Sequence, residues 1–263
     1  MRKNTALEKW RAGEQTIGGW LSLGNTHTAE LMANAGFDWL CIDLQHGLLG
    51  YQDLLHMLPA ISTTDTIPIV RVSQNDPGEI MKVLDAGAMG VIVPLVNNRA
   101  EAEAAISACC YPPKGSRSFG PIRAALYGGR GYAKEANDEI ACIAMIETPE
   151  GIENLEEIVT TEGLGGVYVG PSDLGLALGL PPFGDTDNEL HLETVGRIVE
   201  TCKRHGVPVG IHTGGLGYTQ LRLKAGFNFV TLGSDSGFMM QAVTRDLAEA
   251  RGTQAEEREN TGY

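Results

Sequence analysis

Short apolar runs recur along the chain at residues 15–24, 37–44, 66–73 and 89–96 in its first half, and at 140–147, 165–172, 207–213 and 227–234 in its second. Each is rich in β-branched residues and nearly continuous in hydrophobicity. That is the pattern of strands buried on both faces, since a half-exposed strand would alternate apolar with polar. Between the runs lie stretches with helical spacing: TAELMANAG, YQDLLHMLPAIS, PGEIMKVLDAG, AEAEAAISACC, IENLEEIVTT, LHLETVGRIVETCKRHG and YTQLRLKAGF. Several end in glycine just before the next run, as helices feeding a short αβ loop do.

Eight strands alternating with helices across most of the 263 residues predict an α/β fold, a (β/α)8 TIM barrel. We expect one barrel domain over residues 1–252 and a polar tail over 253–263. A doubly wound open sheet is the competing arrangement, but it advertises a GxGxxG turn after its first strand, where this chain reads GNTHTAE. The interval 97–139 predicts an extended loop between strands 4 and 5, with a short element of its own, lying over the mouth of the barrel.

Charge narrows the partners. Thirty-three acidic residues against 20 basic ones leave a net charge of −13, which disfavours nucleic acid and anionic membranes. No apolar run reaches the roughly 18 residues of a spanning helix, and the N-terminus MRKNTALEKWRAGEQ lacks the apolar stretch of a signal peptide. A cytoplasmic location follows as an expectation. The five cysteines (Cys41, Cys109, Cys110, Cys142 and Cys202) are odd in number and show no CxxC spacing. They predict neither a disulfide framework nor a zinc site, and Cys41 and Cys142, inside apolar runs, read as buried thiols.

The chemistry gathers where strands end. Strand 2 finishes in Asp43-Leu44-Gln45-His46, strand 3 in Arg71, strand 5 in Glu147 and strand 7 in His212, while strand 6 runs into Gly-Pro-Ser-Asp with Asp173. Each has a structural alternative: a cap for Asp43 or Asp173, a core position for His46, an ion pair for Arg71. In a barrel, however, all five points converge on the face where the βα loops build active sites. Glu147 and Asp173 on adjacent strands favour a hard divalent ion. Arg71 offers a fork of donors to a carboxylate or enolate. Asp43 and His46 suit a general base oriented by a carboxylate. Ion, cation and base together fit chemistry through an enolate. None of the seven lysines (Lys3, Lys9, Lys82, Lys114, Lys134, Lys203 and Lys224) ends a strand, which argues against an imine mechanism.

The segments FDWLCIDLQHG, VRVSQNDPGEIMKVLDAGAMGVIVPLV, YPPKGSRSFG, IETPEGIENLEEI and VYVGPSDLGLALGL resemble, in order and spacing, the HpcH/HpaI family of class II pyruvate aldolases over about residues 15–250. The resemblance implies a divalent-metal-dependent aldolase that reversibly cleaves a 4-hydroxy-2-oxo acid into pyruvate and an aldehyde through a metal-stabilised enolate. It implies Glu147 and Asp173 as ligands of Mg²⁺ or Mn²⁺, with Co²⁺ or Zn²⁺ as further candidates. Arg71 would hold the enolate and His46 would be the base, with Asp43 as its acidic partner. Backbone groups of Gly170, Pro171 and Ser172 would hold the pyruvate carboxylate, and Met145 and His212 complete the substrate-binding set. Asp85 matches an acid that the family supplies to the histidine across a subunit interface. The implied assembly is a homohexamer, a dimer of trimers with the last helix exchanged.

This chain departs from the family pattern at Gln45, where glutamate is common, at Met145, where glutamine is common, and at Ser73-Gln74, where Pro-Trp often follows the arginine. The pyruvate half is left intact and the acceptor half open, with His212, residues 118–132 and Arg123 as candidates for aldehyde selection. Two alternatives stand beside the aldolase: a lyase acting on a CoA thioester or decarboxylating oxaloacetate, and a non-catalytic barrel that binds a keto acid. A CoA site would draw on Lys114, Arg117, Arg123 and Arg130, clustered in the long loop.

Overall fold

The computed structural model describes residues 1–182 and 185–253. The apolar runs form strands β1 (Thr16–Leu21), β2 (Trp39–Asp43), β3 (Ile67–Arg71), β4 (Gly90–Val93), β5 (Ala141–Ile146), β6 (Gly166–Val169), β7 (Val209–Ile211) and β8 (Phe229–Ser234). All pair in parallel, each with the next and β8 with β1, so the sheet closes into an eight-stranded barrel with helices outside it. Closure removes both sheet edges. The expected glycine caps are present: Gly206 and Gly226 end their helices in the left-handed region, at φ +69° and +94°, just before β7 and β8.

Alternation along each strand sorts side chains into two layers. Trp39 and Cys41 of β2, Ile67 and Ile69 of β3, Ile143 and Met145 of β5, Tyr168 and Phe229 pack in the barrel interior. Their neighbours Leu40, Ile42, Val70, Ala144 and Val167 belong to the larger core between strands and helices. Continuing the same period by one step brings Asp43, Arg71 and Glu147 inward at the C-terminal ends, where each is buried. The polar site is thus the top layer of the barrel filling. At the other end the helix Thr5–Arg11, which the sequence pattern does not predict, plugs the barrel. Trp10 stacks on Phe229 with ring centroids 4.2 Å apart, and the indoles of Trp10 and Trp39 both donate to the Thr16 hydroxyl, at 2.7 and 3.1 Å.

The long connection between β4 and β5 corrects one expectation. Only residues 94–98 separate β4 from the helix Arg99–Cys109; the rest of the excursion, with helices Ile122–Gly128 and Tyr132–Glu139, comes after that helix has returned along the barrel. It lies where the strands begin, not over the mouth. There the Arg2 N–H donates to the Gly128 carbonyl at 2.8 Å, Lys3 pairs with Glu139 at 2.6 Å, and Arg123 donates to Ala86 O and Ser62 Oγ, both at 2.7 Å. Residues 118–132 and Arg123 are therefore remote from the mouth of their own barrel. The polar tail expected over 253–263 lies outside the described residues beyond Thr253. All five cysteines are free, and among the described residues no helix is long and apolar enough to cross a membrane.

Candidate active site

The top layer is organised by a buried ion pair. Strand register sets Asp43 opposite Arg71, and the guanidinium meets the carboxylate with two nitrogens, Nε to Oδ1 at 2.8 Å and Nη2 to Oδ2 at 2.5 Å. The Trp20 indole donates to Asp43 Oδ2 at 3.1 Å, and its ring lies beside the Arg71 guanidinium, 5.0 Å from centroid to Cζ. The backbone N–H groups of Gln45 and His46 donate to Asp43 Oδ1 at 3.0 and 3.3 Å, so one carboxylate fixes both Arg71 and the turn that carries His46. Burial pushes the Asp43 carboxyl up, but the Arg71 hydrogen bonds and charge, with Trp20 and the His46 N–H, outweigh it and hold the group below the usual range. Asp43→Ala, which strands a buried guanidinium, should cost about 3–5 kcal/mol of stability in urea unfolding. A loss under about 1 kcal/mol would show that the pair is not an anchor.

Glu147 stands one residue beyond β5. The next residue, Thr148, caps the helix Pro149–Glu153 by accepting from Gly151 N at 3.0 Å, as Glu-Thr-Pro-Glu predicts. Glu147 Oε1 accepts the Leu95 N–H at 2.9 Å. Leu95 has φ +55°, the one left-handed non-glycine among the described residues. Such a conformation costs roughly 1–2 kcal/mol and turns the N–H toward the carboxylate. Leu95→Gly should accordingly raise stability by on the order of 1 kcal/mol, read as a higher melting temperature; a fall would mean the side chain is itself an anchor.

On the far side Gly170 makes room, since a Cβ there would run into Glu147 Oε2 and the Met145 methyl. Asp173 follows in the first turn of the helix Pro171–Ala177. Burial pushes the Glu147 carboxyl up to about 7; the Leu95 N–H and Arg71 draw it down, and the Asp173 charge raises it further. A buried acid facing a second carboxylate is a place where a cation relieves the electrostatic cost. Among the described residues no group of three or more His, Cys, Asp or Glu forms a metal cage. Two carboxylates fit a hard ion that keeps other positions for water and substrate oxygens.

Two cavities meet at Ser172 and Asp173. The smaller, about 10 Å³, is lined by Arg71, Met145, Gly170, Pro171, Ser172, Asp173 and His212, with His212 edge-on to Trp20 at 4.9 Å. The larger, about 590 Å³, carries His46 and opens between Ser22, Leu48 and Ser236. Besides Arg123 and residues 118–132, already placed at the other end, one expected site residue lies outside this gathering. Asp85 ends the helix Pro77–Asp85 at the opposite end of the barrel and pairs with the buried Arg117 at 2.7 Å. Sequence reasoning missed Trp20, although two-residue periodicity from Gly18 places it inward. It also missed Leu95 and His191. His191 is fully buried in the helix Glu189–His205, and its Nε2 lies 3.0 Å from the Pro171 carbonyl, under the loop that presents Ser172 and Asp173. Nothing in Leu-His-Leu marks that role.

The family model for HpcH/HpaI aldolase/citrate lyase matches residues 16–242. The chain belongs to this family. It is an enzyme, a pyruvate aldolase and hence a carbon–carbon lyase. A hydroxypyruvate/pyruvate aldolase from Rhizorhabdus wittichii is 40% identical over 92% of this chain and 96% of its own length. A 2-dehydro-3,6-dideoxy-6-sulfogluconate aldolase from Pseudomonas putida is 38% identical over 94% and 97%. The crystal structure of an HpcH/HpaI aldolase/citrate lyase family protein from Burkholderia cenocepacia superposes with a TM-score of 0.89 at 32% identity, over 95% of this chain and 100% of that one. Of the four basic residues suggested for a CoA entrance, Arg117 is buried against Asp85 and Arg123 holds the barrel floor.

Proposed function

We propose that this aldolase reversibly cleaves a 4-hydroxy-2-oxo acid into pyruvate and an aldehyde, using a divalent ion held by Glu147 and Asp173. One observation carries the reading: a small cavity walled by Arg71 and Asp173 shares Ser172 and Asp173 with a larger one lined by His46. On this reading the keto acid lies against Arg71 and residues 170–173, which line the first, and the aldehyde in the larger second. A divalent ion such as Mg²⁺ or Mn²⁺, when bound, supplies positive charge to the keto-acid oxygens and to the negative charge that develops at the C2 oxygen. Arg71, pre-aimed by Asp43, stabilises the same developing charge. His46 takes the proton of the 4-hydroxyl as the C3–C4 bond breaks, C4 leaves as the aldehyde, and a proton returned to C3 gives pyruvate. The Gly170–Ser172 backbone borders the position of the pyruvate carboxylate. On this reading Asp85 serves a neighbouring protomer within a homohexamer, consistent with its remoteness from its own barrel mouth.

The test is an aldehyde panel with pyruvate and Mg²⁺, Mn²⁺ or Co²⁺, with and without chelator. Pyruvate-dependent aldol product that disappears on chelation and returns with the ion is expected. Product formation indifferent to chelator would overturn the metal assignment, and pyruvate binding without bond formation to any aldehyde would favour a binding barrel.

A further inference from the structure

The helix Glu189–His205 buries a stripe at Val195, Ile198, Val199 and Cys202, and one turn earlier the same stripe begins with His191. The helical period calls for an apolar residue there. An imidazole is a costly filling, because two ring nitrogens leave water and only one of them is paired by the protein. Nε2 lies 3.0 Å from the Pro171 carbonyl, whereas Nδ1 has no hydrogen-bond partner among the described residues. An unpaired buried acceptor costs about 1–3 kcal/mol, which a leucine or phenylalanine would avoid. A carbonyl only accepts, so Nε2 carries the ring proton. A second proton, at Nδ1, is disfavoured: burial lowers the His191 value, the charge of Arg222 adds to that, and the Pro171 carbonyl opposes them only in part. The ring is therefore a neutral donor with one fixed acceptor.

What this donor holds is the segment between the end of β6 at Val169 and the helix Pro171–Ala177. That segment has few anchors of its own. Gly170 has no side chain, and Pro171 has no N–H to give. Gly170 must nevertheless stay close in, at a place where a Cβ would run into Glu147 and Met145. Among the described residues, His191 makes the one side-chain hydrogen bond that reaches residues 170–173. Resting on the reading of Glu147 and Asp173 as the ion site, we infer that His191 is a positioning residue for the keto-acid half of the reaction: its Nε2–H pins the Pro171 carbonyl and so sets Ser172 and Asp173 against Glu147 and Arg71. The imidazole acts through the loop and touches neither ion nor substrate. Without it the Pro171 carbonyl keeps only its place in a seven-residue helix. In a site that works by placement, a displacement of about 1 Å is enough to lose on the order of 10²-fold.

The experiment measures Mn²⁺ affinity by calorimetry at pH 8, pyruvate KM and kcat, and urea unfolding, for wild type, His191→Phe and His191→Gln. Phenylalanine fills the site without a donor, and glutamine returns an amide N–H at a reach close to that of Nε2. His191→Phe should weaken Mn²⁺ binding and raise pyruvate KM, each by at least about tenfold, with a smaller change in kcat. His191→Gln should recover most of both losses, to within about threefold of wild type. A ring that merely fills space gives another pattern: stability changes while folded His191→Phe binds Mn²⁺ and pyruvate as wild type does, and that overturns the inference. A glutamine variant no better than the phenylalanine one overturns it as well. If neither variant folds, wild-type protein carrying ¹⁵N-labelled histidine decides. One of its six imidazoles should be neutral, protonated on Nε2 and slow to exchange that proton with solvent, and finding none overturns the inference. Glu147→Gln separates the two levels. Mn²⁺ still bound by that variant, or not bound by wild type, sinks the ion site and this inference with it. Mn²⁺ lost in Glu147→Gln but held unchanged in His191→Phe sinks only the part given to His191.

Discussion

Replacing Arg71 with alanine is expected to lower turnover by about 10²–10⁴-fold, the scale on which one pre-aimed charge stabiliser acts. The side chain is buried at the boundary between the barrel filling and the small cavity, and the fork to Asp43 fixes its orientation before substrate arrives. A group already oriented costs nothing to reorganise as charge develops, so its loss should appear chiefly in kcat. Arg71→Lys refines the test. An ammonium keeps the charge but cannot offer two parallel donors to Asp43 while reaching the cavity, so an intermediate rate is expected. His46→Ala should fall by a comparable factor through loss of proton transfer, with pyruvate KM little changed. Folded Arg71→Ala protein, checked by circular dichroism, that turns over within threefold of wild type would remove Arg71 from the chemistry.

The barrel was legible because a strand buried on both faces has few ways to be written, and eight such runs leave few alternatives to closure. Asp43, Arg71 and Glu147 were legible for a related reason: a charge at the end of an apolar strand, in phase with inward positions, has only the barrel mouth to enter. The Asp43–Arg71 pair was not, because it depends on the register between β2 and β3, which no single strand encodes. The site of the 97–139 excursion was misread because interval length does not say on which side of the intervening helix the extra residues fall. Ser22 and Ser236, which line the larger cavity, look like ordinary residues at strand ends until closure sets β1 beside β8. The left-handed turn at Leu95 leaves no trace in composition at all.

Adding Mg²⁺ or Mn²⁺ to metal-free protein is expected to raise its melting temperature more at pH 8 than at pH 6, and Glu147 explains why. Its carboxyl is pushed from the usual 4.5 up to about 7 by burial above all. A carboxyl whose folded value is raised binds more protons folded than unfolded between those limits. The contribution of Glu147 to metal-free stability should therefore fall as pH rises from about 4.5 to about 7 and then level off, by roughly 3 kcal/mol in all, against an opposite trend below pH 6.5 from His191, whose burial lowers its value. An ion bound there replaces the proton. Its affinity should weaken about tenfold per pH unit below 7, with close to one proton released per ion at pH 6 and almost none above pH 8. Asp43, held ionised by Arg71, does not titrate in this window and adds nothing to it. Glu147→Gln separates electrostatics from packing: the neutral isostere should make metal-free protein more stable than wild type at pH 8 while abolishing the thermal gain from the ion and the aldol reaction together. Calorimetry showing ion affinity flat from pH 5.5 to 8, or a Glu147→Gln protein still stabilised by the ion, would place the divalent site elsewhere. A variant more stable and yet inactive would mean that the strain of keeping a buried carboxylate charged beside Asp173 is what draws the ion, and the reaction, to this end of the barrel.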